Sequence, residues 1–414
     1  MPEAPRQTAG RFGVAGACDH RGVPLKAAKI TGEGQRFFMR ENVYEMAVRR
    51  IRWLFREFAG NVMVSVSGGK DSTIIFHLAL QVAREDGWLP LKCCWIDQEG
   101  EWQATADIIE EWMNYPEVEP VWLQVPFHIK NATSRQDAYL HAWGPEDKDK
   151  WMRPQHPLAI HENLFGTDQF YRLFAAVMRY YYGTEPACSL SGMRAEEAPT
   201  RRLGITTSAC YKWVTWGGWQ NPSGKVPHFL FHPIYDWGWT DVWKAIHDGG
   251  WRYNALYDRM YQLGMPVRNM RVSSLQHEQA VKSLFVLQEL EPDTYERLVA
   301  RIEGIDMAGK FGRDFFIHEL PWMFDSWVEY RDYLMEKLIG TPEHRARLTK
   351  TFESIDRSTP PDLREYAAQR QINSIVTNDW DGDRLNHFRA EQSFRDAQRE
   401  WLAQVAAGEA GGLA

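Results

Sequence analysis

The chain has 414 residues, enough for two or three domains or for one α/β domain with large extensions. Apolar residues make up 44% and charged residues 25%, the proportions of a soluble globular protein, and the net charge of −7 excludes a wholly basic nucleic-acid coat. No run approaches about 18 apolar residues and no secretory h-region is present, which speaks against membrane spanning and export.

Residues 1–40 read as a Gly-rich N-terminal arm. Residues 1–56 carry eleven Lys/Arg against five Asp/Glu, including Arg49, Arg50, Arg52 and Arg56. A solvated helix face is the reading preferred over a nucleic-acid patch. "ENVYEMAVRRIRWLFREF" (41–58) spaces apolar residues at three and four, an amphipathic helix stopped at Gly60. "NVMVSV" is a short buried strand, "STIIFHLALQVAREDG" a helix, "LKCCWID" (91–97) a second buried strand, "EWQATADIIEEWMNY" a second helix and "VEPVWLQV" a third strand. Such alternation predicts an α/β fold with a doubly wound, mostly parallel sheet. Residues 41–265 form one α/β domain on this reading, with 127–165 as an irregular insertion. A helix near 168–183 precedes the strand "ACSLSGMR", and "TDVWKAIHDGG" is helical. Strands fade after about 270, so 266–405 read as a mainly helical C-terminal extension broken at Pro292, Pro342 and Pro360–Pro361, with 406–414 a disordered tail.

Between the first strand and its helix stands "SGGKDS". The Walker spacing G-x-x-x-x-G-K-[ST] and the dinucleotide fingerprint G-x-G-x-x-G are both absent, so neither chemistry is expected. Gly68 and Gly69 let the backbone approach a phosphate, and the amides at the helix N-terminus point toward it. Ser67 and Ser72 add hydroxyls and Lys70 a positive charge. Asp71 is the anomaly in an anion site; it suits a helix N-cap or a ligand to a nucleotide-borne Mg2+.

"SGGKDS" after a buried strand resembles the PP-loop of the ATP-pyrophosphatase (adenine nucleotide alpha hydrolase-like) superfamily. "GMRAEEAPTRR" (192–202) is similar to the G-x-R-x-x-E-[SA]-x-x-R segment of the phosphoadenosine phosphosulfate (PAPS) reductase branch. "PIYDWGWTDVWKAIHDGGWRYNALYDRMYQLG" (233–264) resembles that branch's later segment, and "IDQEGEW" stands where the branch usually has a strand-end aspartate. "ENVYEMAVRRIRWLFREF", "WMRPQ" and "YQLGMPVRNMRV" resemble the large PAPS-reductase-like proteins that include immunoglobulin-binding regulator A of enterobacteria and prophages.

The resemblance implies that the loop grips the phosphates of ATP or PAPS, an adenine nucleotide, with Mg2+. Lys70, Asp71 and Arg194 are the expected catalytic residues. Ser67, Gly68, Gly69, Ser72, Asp97 and Arg201 complete the binding set, with Arg202 as the alternative to Arg201 and Asp71 as the metal ligand. Glu196 and Glu197 orient the arginines or help hold the metal. Asp97 has a ribose, metal or substrate role, or caps a turn. Asp241 and Thr240 read as helix caps.

The five cysteines (Cys18, Cys93, Cys94, Cys188, Cys210) contain no C-x-x-C, so no iron–sulfur cluster is expected, and they fit a reducing cytoplasm. Cys93 and Cys94 read as core residues. PAPS reduction needs a distal nucleophilic thiolate, and Cys210 is the last cysteine. ATP pyrophosphatase-type activation of an unknown acceptor is therefore the first reading. A nucleotide-sensing regulator touching DNA or a partner protein is the second, and PAPS reduction the third. Homo-oligomerisation is left open. His228, His232 and Cys210 match no common zinc spacing, and "DWDGDRLN" (379–386) departs from the calcium-loop pattern.

Overall fold

The computed structural model describes residues 40–131, 139–206, 211–220, 226–267, 270–272, 274–275, 284–302, 319–376, 379–380 and 385. The N-terminal arm up to residue 39, Cys18, Cys210, the tail 406–414 and most of the 379–386 motif lie outside them.

The strands are β1 (Val62–Ser65), β2 (Leu91–Ile96), β3 (Val118–Leu123), β4 (Phe127–Lys130), β5 (Tyr139–Ala142), β6 (Ala187–Leu190), β7 (Gly217–Trp219) and β8 (His228–Phe231). The helices are α1 (Val43–Glu57), α2 (Lys70–Asp86), α3 (Gln103–Met113), α4 (Phe170–Tyr182), α5 (Pro199–Thr206), α6 (Trp239–Gly249), α7 (Leu256–Gln262), α8 (Leu284–Leu290), α9 (Pro292–Arg301), α10 (Trp327–Lys337), α11 (Pro342–Ser358) and α12 (Arg364–Val376).

The main sheet runs β3-β2-β1-β6-β8-β7, parallel throughout except for β7, which pairs antiparallel with β8 at the edge. Continuous apolar runs such as "VMV" and "CCWI" are what a strand covered on both faces requires. Helix α2 follows β1 and is itself a core element: Ile74, Phe76, Leu78 and Val82 have no exposed surface. Phe76 stacks on Trp112 of α3 with centroids 5.0 Å apart. Because β1 pairs with β2 on one side and β6 on the other, the strand order reverses at β1/β6. That reversal opens a crevice at the carboxyl ends of those two strands.

The arginines of α1 pair with carboxylates, Arg49 and Arg56 while remaining exposed. Arg50 makes a bidentate pair with Asp236 (2.7 Å), Arg52 and Arg56 meet Asp86, and Arg49 lies 3.8 Å from Glu41. The 127–165 stretch, expected to be irregular, holds an antiparallel pair of strands: Phe127 faces Ala142 and Lys130 faces Tyr139. The edge strand β7 was likewise not legible as a strand.

Met270, Val272, Leu275, Leu287 and Leu298 bury in one cluster with Met63, Ile96 and Tyr257, so the core of the α/β body continues through residue 302. A separate cluster of Leu334, Leu348, Phe352, Ile372 and Ile375 is built among α10, α11 and α12. Two contacts fix residues 291–301 to the sheet's carboxyl side. Glu291 accepts the Gln103 and Ala104 amides at the start of α3 (2.7 and 2.9 Å). Arg301 donates to both carboxylate oxygens of fully buried Glu99 (2.5 and 3.2 Å), to Asp147 and to the His141 carbonyl.

Removing one partner of such a pair leaves a buried charge uncompensated. Arg301→Met should cost about 3–5 kcal/mol in urea unfolding. An exposed pair such as Lys244–Asp248, screened by solvent, should contribute little. Two buried histidines give a pH signature. Burial first, then Arg84 and Arg201 respectively, depress His77 and His232 to about 4. Below the ordinary imidazole pKa the unfolded chain takes up protons that the folded chain refuses. Their contribution to stability is complete above about pH 6.5 and declines toward pH 4, by about 1.4 kcal/mol per pH unit for each histidine. The urea midpoint at pH 5 should fall below that at pH 7, and His77→Gln should flatten the slope.

Candidate functional site

The carboxyl ends of β1 and β6 bring the "SGGKDS" loop and the "GMRAEE" loop face to face. Gly69 is the N-cap of α2, and Lys70 is its first residue. Asp71 therefore sits inside the first turn, which corrects the expectation that it caps the helix. Gly68 has φ +64°, and a Cβ there would meet Thr105 at 2.7 Å, so the left-handed turn and its tight packing both require glycine. The Ser72 hydroxyl donates to the Gly69 carbonyl (2.9 Å) and accepts from the Ser67 amide (3.3 Å). It closes the loop on itself instead of facing a ligand. Ser67 is exposed at the mouth.

A second layer holds this loop. Buried Asn254 donates to the Gly68 carbonyl (3.3 Å) and to Thr105 (2.8 Å) while accepting the Leu256 amide (3.0 Å). The Lys70 amide donates to the Tyr257 hydroxyl (3.1 Å), and the Lys70 ammonium lies 5.2 Å from the same ring.

Asp71 joins the two loops. Its Oδ1 accepts from Nε of Arg194 at 2.6 Å, and its Oδ2 is 3.4 Å from Nζ of Lys70. Arg194 is 4% exposed and is further held by Glu196 and the Trp237 carbonyl, both at 3.3 Å. Glu197 accepts the Arg194 backbone amide (3.1 Å) and pairs with Arg201. Glu196 also caps α6 by accepting the Trp239 amide (2.7 Å). Asp241 acts at the third position of that helix by accepting the Gly238 amide (2.7 Å).

Electrostatics show a fourth cation that sequence reasoning missed. Burial lowers the Lys70 ammonium; Asp71 opposes the shift, and Arg194 and Arg271 add to it. Burial also lowers Arg201, with Arg271 and Arg194 adding and Asp71 opposing. Arg271 thus belongs to the group of Lys70, Arg194 and Arg201 around Asp71. Its neighbour Val272 packs over Gly69. Its only sequence signal was its place in the family-like "VRNMRV" stretch.

Asp97 does not join this group. It is fully buried, and its carboxylate accepts from Trp122 (3.0 Å), Gln124 (2.9 Å), the Glu99 amide (3.0 Å) and Arg153. With its lone pairs taken by protein donors, it organises the 97–101 loop. The reading as a ribose, metal or substrate ligand gives way to the turn-capping one. Cys93, Cys94 and Cys188 are buried strand residues, and burial raises each thiol, Cys94 to about 12, so they are not thiolates. His228 opens β8, and His232 follows its last residue.

As a Mg2+ ligand Asp71 fits poorly, since both of its oxygens face cations. Among the described residues no group of three or more His, Cys, Asp or Glu is arranged to hold a metal. Also among them, no helix is long and apolar enough to cross a membrane.

Gly192 sets the distance between the two loops. A Cβ there would lie 2.6 Å from the Asp71 carbonyl carbon and oxygen and 3.0 Å from the Ser72 amide, all backbone that cannot rotate away. Gly192→Ala should cost about 1–3 kcal/mol and lower Tm. Gly204→Ala, where nothing lies within 4 Å, should be neutral or stabilising. Equal melting temperatures for the two variants would contradict the close-packing argument.

Residues 61–264 match the model of the phosphoadenosine phosphosulfate reductase domain, and residues 264–356 match a domain of unknown function (DUF3440). The uncharacterized protein YbdN of Escherichia coli (strain K12) is 28% identical over 321 residues, covering 74% of this chain and 77% of its own length. Adenosine 5'-phosphosulfate reductases of Lysinibacillus sphaericus (strain C3-41) and Geobacillus thermodenitrificans (strain NG80-2) are 20% and 22% identical over 225 residues, covering 54% of this chain and 79% of theirs. Among solved structures, Candida glabrata FMN adenylyltransferase superposes with a TM-score of 0.33 at 12% identity, over 53% of this chain and 61% of that one. The PAPS reductase of Candida auris in its phosphate complex superposes with a TM-score of 0.27 at 13% identity, over 54% of this chain and 92% of that one. Residues 61–264 are thus similar to the phosphoadenosine phosphosulfate reductase domain, on a doubly wound α/β fold.

Proposed function

We propose that the chain binds an adenine nucleotide by its phosphates between the 67–72 loop and the 191–201 loop. We further propose that it activates an acceptor by displacement at the α-phosphate of ATP, releasing pyrophosphate. The observation that carries this reading is the gathering of Lys70, Arg194, Arg201 and Arg271 at the N-terminus of a buried helix, at the strand-order reversal. One carboxylate, Asp71, lies among these four cations, and Glu196 and Glu197 orient two of them. The arrangement attracts an anion with several charges, and helix-terminal amides add to it.

In the reaction proposed, an acceptor oxygen forms a bond to the α-phosphorus while the bond to the pyrophosphate oxygen breaks. The cations take up charge on the departing group, and the two fixed loops keep the atoms in line. No step is assigned to a metal.

Two other readings are weighed on specific observations. The names of the relatives at 20–22% identity favour sulfonucleotide reduction, whereas the buried strand cysteines do not supply a thiolate. A DNA-associated regulator would need free cations on α1, and the arginines there face carboxylates.

Incubation with ATP or PAPS in the presence of Mg2+, followed by assay of bound nucleotide, pyrophosphate and sulfite, separates the three. Pyrophosphate from ATP is expected, with Arg194→Ala lowering turnover about 10²–10³-fold. Sulfite from PAPS would move the assignment to reduction, and binding without turnover to a sensor. No bound nucleotide would end the proposal.

A further inference from the structure

Tyr257 was one of several residues in the "RYNALYD" segment with no role readable from sequence. It is 3% exposed on α7, with its ring edge-on to Trp243 and its hydroxyl against the loop. That hydroxyl accepts the Lys70 amide, the first N–H of α2 and one of those a bound anion would otherwise use. The loop backbone runs very close: a Cβ on Gly69 would lie 3.4 Å from the phenolic oxygen. Among the described residues nothing accepts the phenolic proton.

An O–H donor shut away from water without an acceptor costs about as much as a lost hydrogen bond. Here it stands within the influence of Lys70, Arg194 and Arg271, where an anion would supply the missing acceptor. Accepting the Lys70 N–H also polarises the hydroxyl and makes it a stronger donor. Burial, and then the Asp71 charge, push the phenol's ionisation upward, so the proton stays in place at neutral pH.

We propose that Tyr257 is a phosphate-contacting residue: its hydroxyl relays the Lys70 amide and donates to an oxygen of the phosphate chain held in the 67–72 loop. The inference rests on the nucleotide reading above and adds a specific donor to it. The ligand chemistry is a di- or triphosphate, whether attached to a nucleoside or free.

The experiment compares the full-length protein with Tyr257→Phe by calorimetry, using ATP, inorganic pyrophosphate and adenosine. Loss of a hydrogen bond to a charged oxygen should weaken ATP and pyrophosphate about tenfold, with adenosine unchanged. Wild-type binding with equal affinity in the variant would overturn this inference alone, leaving the nucleotide reading intact. Failure of the wild type to bind ATP would overturn both. Should the variant not fold, fluorotyrosine-labelled wild type decides the matter. A fluorine resonance that moves on pyrophosphate addition supports the contact, and none moving overturns it.

Discussion

The Asp71–Arg194 ion pair is the constraint on which the rest of the site depends. It spans the point where strand order reverses, tying the first turn of the helix after β1 to the loop after β6. A guanidinium buried to 4% exposure is tolerable only with its donors engaged, and Asp71, Glu196 and the Trp237 carbonyl engage them. The same carboxylate sits 3.4 Å from Lys70. A carboxylate inside the proposed anion site is thus no contradiction. It holds together cations that would otherwise repel one another, while leaving a surplus of positive charge for a ligand.

Rigidity follows from how the polar groups around the loop are spent. Ser72 and Thr73 turn inward to the Gly69 carbonyl, Asn254 takes the Gly68 carbonyl, and Gly192 admits the neighbouring loop to backbone contact. Each bond removes a freedom that ligand binding would otherwise have to remove. The Tyr257 hydroxyl differs in kind, because it is fixed as an acceptor and, among the described residues, uncommitted as a donor.

What the sequence made legible was local. The apolar runs that became β1, β2 and β3, the helix periodicities and the "SGGKDS" spacing all depend on neighbours a few residues away. Helix starts were read within one or two residues. Even so, a shift of two at α2 was enough to move Asp71 from the cap position into the first turn. The features that escaped depend on partners far along the chain. β4 and β5 are four-residue strands with meaning only in each other's register, and β7 needs β8. Asp97 looked like a ligand because it ends a strand. Trp122, Gln124 and Arg153, which claim its oxygens, lie 25 to 56 residues away. Arg271 stood in a stretch with no strand or helix period to flag it.

Arg271 also bears on how the segment beyond the matched reductase domain should be regarded. The described residues of the 270–275 and 284–302 stretches are not appended to the site but built into its wall. Val272 packs on Gly69, the Leu275 amide donates to the Gly100 carbonyl (2.6 Å), and Ser274 donates to Gln98 (2.8 Å). Glu291 and Arg301 then fasten α9 to α3 and to the 97–101 loop. Glu99 holds a left-handed backbone, φ 66°, which a non-glycine residue keeps only when its surroundings compensate for the strain. The compensation here comes from two hydrogen bonds donated by Arg301, with the Trp143 amide donating to the same carboxylate (2.8 Å). The positive charge at the 67–72 loop and the conformation of the neighbouring acidic loop therefore share support from described residues outside the domain whose motif first drew attention to the chain.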